Sequence, residues 1–311
     1  MKRVFAGIDF GGTGTRIVIY SGQEVLARQA FITAELGAGD VAAKMARLSQ
    51  SIQMLLPAEA ELAAIGIGAT GPVDCATGIV HNQDTLPWFS DFPLVPLLSQ
   101  ALEVPVIIDN DAVVAAIAEY HLGAAKGAER MLMIVLGTGI GVVLLDHGRP
   151  FRGLKGAHPE AGHFSIQPDG PLCYCGTIGC WEQLAARSAL QRQLRPLIDA
   201  QVPGRDIIAT AIAKAAENAE IRQIIVNYGR NLGRGVAVLQ TLYMPEVTVI
   251  GGHISGYLPV FAESFQQALE RSPPFDNYQD VRCALLGDEA GAVGAALMAN
   301  LNGSELEVKR L

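Results

Sequence analysis

Val4-Phe-Ala-Gly-Ile-Asp9-Phe-Gly-Gly-Thr-Gly-Thr15-Arg-Ile-Val-Ile-Tyr20 is the stretch that decides the fold. Val4–Asp9 reads as a buried strand and Arg16–Tyr20 as a second, joined by the turn Phe10-Gly-Gly-Thr-Gly-Thr15. The same grammar returns about 125 residues later, which points to a chain built from two related halves. Met131–Leu136 is a strand, Gly137-Thr-Gly-Ile-Gly141 a turn, and Val142–Asp146 another strand. A dinucleotide or P-loop glycine run opens a helix, whereas both of these open β-branched strands, and no GxxxxGK[ST] occurs.

Outward from these turns, strands alternate with helices, which indicates an α/β fold. Val41–Leu56 has helical apolar spacing, Leu62–Ala69 is a strand ending in Thr70-Gly71-Pro72, and Leu94–Leu102 is helical. Val104–Asp109 is a strand that runs into the Ala-rich helix Ala112–Leu122. Ile221, Ile224, Ile225, Tyr228, Leu232, Val236 and Leu239 form one apolar helical stripe, stopped by Pro245. Val247–Ile250 is a strand entering Gly251-Gly252, Glu289–Asn300 is a last Gly/Ala-rich helix, and the final ten residues read as a frayed tail.

Composition narrows the function. With 311 residues, half of them apolar, the chain has enough core for two domains. Its net charge of −8 and lack of any Lys/Arg cluster exclude nucleic acid as an expected partner. Asp9 cuts short the N-terminal apolar run, and Met131–Leu145, the longest uncharged apolar stretch, is broken by glycines and too short to span a bilayer. Five cysteines, an odd number, fit a reducing compartment. The expectation is a soluble cytoplasmic protein with no membrane partner.

Three clusters carry chemistry. The glycine turns suit a phosphate, since small residues let backbone N–H groups approach an oxyanion and threonine hydroxyls add donors. One hairpin per half would hold a nucleotide's phosphates in a cleft between domains, with Asp9 near its magnesium; a tight hairpin and a turn-capping aspartate are the plainer readings. Gly251-Gly252 would let the backbone approach an adenosine, or simply turn the chain into a helix. Asp111, after the strand Val104–Asp109, is either a helix N-cap or a general base at the carboxyl end of a parallel strand. In the loop Glu160–Glu182, the spacing of His163, Cys173, Cys175 and Cys180 suits four tetrahedral ligands to zinc. Reduced thiols or a disulfide are the alternatives, although Cys-x-Cys is awkward for a disulfide. A complete Cys3His set leaves no open position, so the metal reads as structural and as a frame for Glu160 and Glu182.

These motifs together resemble the ROK family of sugar kinases and related repressors: Asp9-x-Gly11-Gly12-Thr13, Gly71-Pro-Val-Asp74, Asn110-Asp111, Gly137-Thr138-Gly139-x-Gly141, Glu160-x-Gly-His163, Cys173-x-Cys175-Gly-x-x-Gly-Cys180-x-Glu182 and Gly251-Gly252. The resemblance implies an actin/hexokinase-like ATPase fold of the ribonuclease H-like kind, with two related α/β domains about a cleft. Residues 1–112 with 289–311 would form the smaller domain, and 113–288 the larger one carrying the zinc loop. It implies that Asp111 is the catalytic base and that Gly71, Asn110, Glu160, His163 and Glu182 contact the sugar. ATP with Mg²⁺ would lie on Asp9, Gly11, Gly12, Thr13, Thr15, Gly137, Thr138, Gly139, Gly141, Gly251 and Gly252. His163 would serve twice, one ring nitrogen on zinc and the other toward the sugar.

The chain departs from the family pattern at Thr85 and Val113, each in place of an asparagine, at His253 in place of a glycine, and at His158-Pro159 where Ala-Gly is common. Members with His-Pro-Glu lean toward fructose or broad hexose phosphorylation. The implied activity is therefore ATP-dependent phosphorylation of a glucose- or fructose-type hexose, with an N-acetylhexosamine kinase as the alternative. A sugar-responsive transcriptional regulator is a further alternative, set aside because only nine residues reach Asp9, too few for a DNA-binding module ahead of it. Apolar surface at the Ala-rich helices, and the habit of the family, suggest a homodimer.

Overall fold

The computed structural model describes residues 2–270 and 280–302. The described residues fall into two compact units, one within Met1–Lys126, Arg152–His158 and Leu286–Leu311, the other within Gly127–Phe151 and Pro159–Leu285. Beyond Asn302, the tail read as frayed lies outside the described residues.

The first unit begins with β1 (Lys2–Phe10), β2 (Gly14–Tyr20) and β3 (Val25–Ile32), an antiparallel meander. One turn of helix, α1 (Thr33–Leu36), precedes α2 (Val41–Leu55), whose N-cap Asp40 accepts from Ala43 N–H at 2.8 Å. Then β4 (Ala60–Ala69) joins β1 in parallel, the hairpin β5 (Val73–Asp74) and β6 (Ile79–Val80) follows, and α3 (Leu94–Leu102) leads to β7 (Val106–Asn110) and α4 (Asp111–His121). The sheet order is β3-β2-β1-β4-β7.

The second unit repeats this plan. An antiparallel meander of β8 (Arg130–Leu136), β9 (Ile140–Asp146) and β10 (Arg149–Pro150) is followed by the helices α5 (Trp181–Ala185), α6 (Arg187–Leu194), α7 (Ile207–Lys214) and α8 (Ala219–Tyr243). Next come β11 (Val247–Gly251), α9 (Leu258–Glu270) and β12 (Val281–Cys283). The order is β10-β9-β8-β11-β12, with β11 parallel to both β8 and β12, as β4 is parallel to both β1 and β7. Strand for strand the two sheets share order and direction, so the repeated glycine hairpins mark a true duplication.

α8 shows how local chemistry sets the element. Asn218 caps its start by accepting from Glu220 and Ile221 N–H, and Met244 in the left-handed region (φ 45°) ends it before Pro245. Its buried stripe includes Ile221, Ile225, Tyr228, Leu232, Val236 and Leu239, within one core shared with Trp181, Leu190 and Phe265. The first unit has its own core, including Ile8, Ile17, Ile52, Ile65 and Phe89.

The chain returns to the first unit as α10 (Ala290–Leu301). A Cβ at Gly7 would stand 1.9 Å from Ala292 O, one at Gly66 1.8 Å from Ala295 O, and one at Gly294 1.8 Å from Val114 O. Small residues thus let α10 press directly on β1, β4 and α4. This corrects the reasoning behind the homodimer: the two Ala-rich helices pack on each other, and Ala112–Glu119 apart from Ala115, with all of Ala290–Ala299, are buried. Their apolar faces are core, not surface.

Candidate active site and cysteine knot

In the first unit the turn between β1 and β2 is closed by Gly11 N–H to Gly14 O at 3.1 Å. Thr33 at the start of α1 braces it, donating its hydroxyl to Gly11 O at 2.7 Å and its N–H to Thr13 O at 3.1 Å. Of the residues expected to face a nucleotide, Gly11, Gly12 and Thr13 are at this turn, whereas Thr15 is fully buried with its hydroxyl 2.9 Å from that of Thr33. Gly12 is pressed by the chain on its other side: a Cβ there would stand 2.5 Å from Thr85 O.

Asp9, next to last in β1, lies over the first turn of α10, where a Cβ on Gly291 would stand 2.5 Å from Asp9 Oδ2. Burial, and then the nearby Asp111 carboxylate, push the Asp9 carboxyl up to about 7, with Arg16 opposing and Asp288 adding to the rise. Two acids that repel each other inside a protein make a site that a divalent cation relieves.

At the end of β7 the N-cap of α4 is Asn110, whose side chain accepts from Ala112 N–H at 2.9 Å. Asp111 is therefore not the cap but the first residue of the helix. Its Oδ2 accepts from the Thr70 hydroxyl at 2.9 Å and its Oδ1 from Ala112 N–H at 2.8 Å. These two hydrogen bonds fix the carboxylate in place. Gly71 lies against the Asn110 amide, 2.9 Å from where a Cβ would be, and Asn82 holds the Thr70–Gly71 carbonyls at 3.2 and 2.8 Å. Beneath Asn110, the buried Asp109 accepts from Asn110 N–H at 2.7 Å and is held bidentately by Arg152, one contact at 3.0 Å and the other through Arg152 Nη2 and Asp109 Oδ2. Thr70, Asn82, Asp109 and Arg152 were not singled out from the sequence. Val113, where the family pattern has an asparagine, is fully buried in this unit.

In the second unit the turn between β8 and β9 is closed by Gly137 N–H to Gly139 O at 3.0 Å, and α6 grips it through Arg187 N–H to Gly137 O and the Ser188 hydroxyl to Thr138 O. The Glu182 carboxylate lies on this turn. Its Oε2 accepts from Ile140 N–H at 3.0 Å and would stand 2.3 Å from a Cβ on Gly139. Gly139 therefore leaves room for Glu182. Gly252, at φ +85°, passes so near Leu136 that a Cβ would stand 2.4 Å from its carbonyl oxygen, and Gly251 lies against Met133.

The loop from Glu160 to Glu182 brings its four expected ligands together. One ligand atom each of His163, Cys173, Cys175 and Cys180 lies within 4.8 Å of every other. Cys173 Sγ is 3.5 Å from His163 Nδ1, and Cys175 Sγ 3.5 Å from Cys180 Sγ. A tetrahedron of metal–sulfur bonds near 2.3 Å has edges of about 3.8 Å, so the donor set and its spacing fit zinc. All five cysteines are unpaired, which removes the disulfide reading. Hydrogen bonds from Thr177 bring the Cys175 thiol down to about 6, while burial pushes Cys180 up to about 12.

The other histidine nitrogen, Nε2, is 3.0 Å from the Tyr174 hydroxyl, a partner absent from the sequence reading. Burial and then the Glu182 charge push Tyr174 up to about 12. Trp181 anchors the knot, stacked on Phe164 and donating to Asn231 O at 3.1 Å; a Cβ on Gly235 of α8 would meet its ring at 2.1 Å. Glu160, exposed, lends its carbonyl to His163 N–H at 3.1 Å.

A family model described as ROK family matches residues 5–301. The chain belongs to the ROK family. The ROK hexokinase from Thermus thermophilus superposes with a TM-score of 0.83 at 32% identity, covering 99% of this chain and 100% of that one. A ROK family glucokinase from Streptomyces griseus, in complex with glucose and AMPPNP, superposes with a TM-score of 0.76 at 28% identity, covering 96% of this chain and 99% of its own. Glucokinase from Halalkalibacterium halodurans is 28% identical over 98% of this chain and 97% of its length. The DNA-binding transcriptional repressor Mlc of Escherichia coli is 29% identical over 79% of this chain and 63% of its own. As a ROK protein with hexokinase neighbours, the chain has the actin/hexokinase-like ATPase fold. Among the described residues, no helix is long and apolar enough to cross a membrane.

Proposed function

We propose that this ROK protein transfers the γ-phosphoryl group of ATP to a hydroxyl of a glucose- or fructose-type hexose, with Asp111 as general base. Its standing as an ATP-dependent sugar kinase rests on the family and on the kinase neighbours over nearly the whole chain. The observation that carries the residue assignment is the Asp111 carboxylate, fixed by Thr70 and by Ala112 N–H where β7 meets α4. Ligands of open α/β sheets bind outside the carboxyl ends of parallel strands.

A sugar hydroxyl is a weak nucleophile at neutral pH. Asp111 accepts its proton as the oxygen attacks phosphorus and the bond to the ADP oxygen breaks. Asn110, Glu160 and Glu182 hydrogen-bond the other hydroxyls, joined by His163 once its Nε2 exchanges the Tyr174 hydroxyl for the sugar, and such paired contacts penalise an analogue that lacks one. Gly11, Gly12, Thr13, Gly137, Thr138, Gly139 and Gly141 offer backbone donors to the phosphates, with Gly251-Gly252 beside the adenosine. Magnesium near Asp9 would supply charge neutralisation, which with alignment is most of phosphoryl-transfer catalysis.

His163, Cys173, Cys175 and Cys180 would hold zinc, whose contribution is rigidity of the loop between Glu160 and Glu182. Elemental analysis should find one zinc per chain, and Cys175→Ser should lose it and weaken sugar binding. Normal sugar affinity in the metal-free variant would remove the anchoring role. Light scattering at twice the chain mass of 32.9 kDa would bear out a homodimer.

Thr85, in place of the family's asparagine, leaves N-acetylhexosamines as the second substrate class. Coupled ADP release across glucose, fructose, mannose, allose, N-acetylglucosamine and N-acetylmannosamine decides between them. Turnover on glucose or fructose is expected, and turnover on none would overturn the kinase reading. The likeness to Mlc favours a regulator as the second reading, and a gel shift with operator DNA is its test.

A further inference from the structure

Two adjoining cavities open on the second unit, of about 440 and 490 Å³, and Arg230 and Arg234 of α8 line both. Arg192 of α6 lines the second. Among the described residues, no acidic side chain lines either cavity and none of the three guanidiniums has a carboxylate partner. By contrast Arg16, Arg28, Arg130 and Arg152 find carboxylates, in a chain with 31 acids against 23 Lys and Arg. Helix amides hold two of the three in place: Arg230 donates to Asn227 Oδ1 at 3.1 Å and Arg234 to Asn231 Oδ1 at 3.4 Å. A guanidinium has five donors, so each keeps most of its fork for a ligand.

We infer that this arginine face binds a phosphoryl dianion, carried by a sugar phosphate or present as inorganic phosphate. The planar fork of arginine matches phosphate oxygens in pairs, and three such groups on neighbouring walls of concave, acid-free surface are the chemistry a phosphate ester selects. Each cavity is within the roughly 300–1,000 Å³ typical of small-molecule sites, with room for a sugar beside the phosphate. The site shares no residue with the proposed kinase site and stands whether or not that reading does.

The same face is wired to the cysteine knot. Arg192 Nη2 donates to Gln183 O at 3.2 Å and Gln183 Oε1 at 3.1 Å, and Gln183 Nε2 donates to Cys173 Sγ at 3.7 Å. Gln167 and Pro171 of the knot also line the second cavity. An anion that draws Arg192 toward itself releases Gln183 and changes the hydrogen bond on a ligand sulfur, so the site is coupled to the loop that carries Glu182.

The test is isothermal titration calorimetry of the metal-loaded protein with inorganic phosphate and, separately, with glucose 6-phosphate. The wild type should bind at least one of them, and Arg230→Gln/Arg234→Gln should bind it at least about tenfold more weakly. Arg230→Lys/Arg234→Lys, which keeps the charges, should fall between. Binding of both ligands with similar affinity, lost in the Gln variant, assigns the site to the dianion itself, and binding of glucose 6-phosphate alone, lost in the same variant, shows that the cavity reads the sugar. Equal affinity in the Gln variant and the wild type, or no binding of either ligand to the wild type, overturns the proposal. Metal release to a chelator provides the second readout: saturating anion should alter its rate in the wild type and not in Arg192→Gln. An unaltered rate in the wild type would remove the coupling.

Discussion

Arg152→Gln tests the support beneath the proposed base. Asp109 is 5% exposed and its carboxylate takes both arms of the Arg152 guanidinium. Its remaining partners are Asn110 N–H at 2.7 Å and the weak Cys75 thiol at 3.8 Å. Removing one member of a buried pair costs about 3–5 kcal/mol, because the other charge stays buried without compensation. The Arg152 side chain is 29% exposed, so water repays part of that and the low end, about 3 kcal/mol, applies. For a unit of this size, that lowers the melting temperature by roughly 6–12 °C. Differential scanning calorimetry should show this loss in the transition of the first unit and leave that of the second in place. Asp109→Asn/Arg152→Gln should recover most of it, since no charge is then orphaned. A shift below about 2 °C, or a double variant as unstable as the sum of the singles, would refute the buried-charge argument.

Asp9 gives a pH signature. Its native carboxyl holds a proton up to about 7 while the unfolded chain releases it near about pH 4, so the native state binds more protons between those values. Stability therefore falls as pH rises through that window, and urea titrations of Asp9→Asn should lose that slope. Magnesium–nucleotide favours the ionised form, so its binding at neutral pH should release a proton, seen as a calorimetric heat that varies with buffer ionisation enthalpy. Uptake, or no exchange, would count against Asp9 as the cation-side carboxylate. Gly66→Ala places a methyl 1.8 Å from Ala295 O in backbone that cannot yield locally, and overpacking of this kind costs about 1–3 kcal/mol in chemical denaturation. An unchanged midpoint would show that α10 is not pressed on β4 as described.

The hairpins were legible because their signal is local: β-branched strands on either side of glycine, repeated once. So were the clustering of His163 with Cys173, Cys175 and Cys180, which lie within eighteen residues, and the place of Asp111 next to its own strand. β3 was missed because it is the edge of its sheet and half of its residues face solvent, so no apolar alternation marks it. The supports of the site were missed for another reason. Asp109 and Arg152 are 43 residues apart, Ile140 and Glu182 42, and Thr70 and Asp111 41, and nothing in either member names its partner. The Ala-rich helices misled in the opposite direction, since an apolar helix that buries its whole surface through glycine contacts looks in sequence like one awaiting a second subunit.

The central claim is that Asp111 takes the proton from the sugar hydroxyl. Its most direct measurement pairs steady-state ADP release with sugar binding for Asp111→Asn on the sugar the wild type turns over best. Asparagine keeps the shape and the bond to Thr70 but accepts no proton. Turnover should fall by at least about 10²-fold with sugar affinity largely retained. Turnover near the wild-type rate would contradict the account.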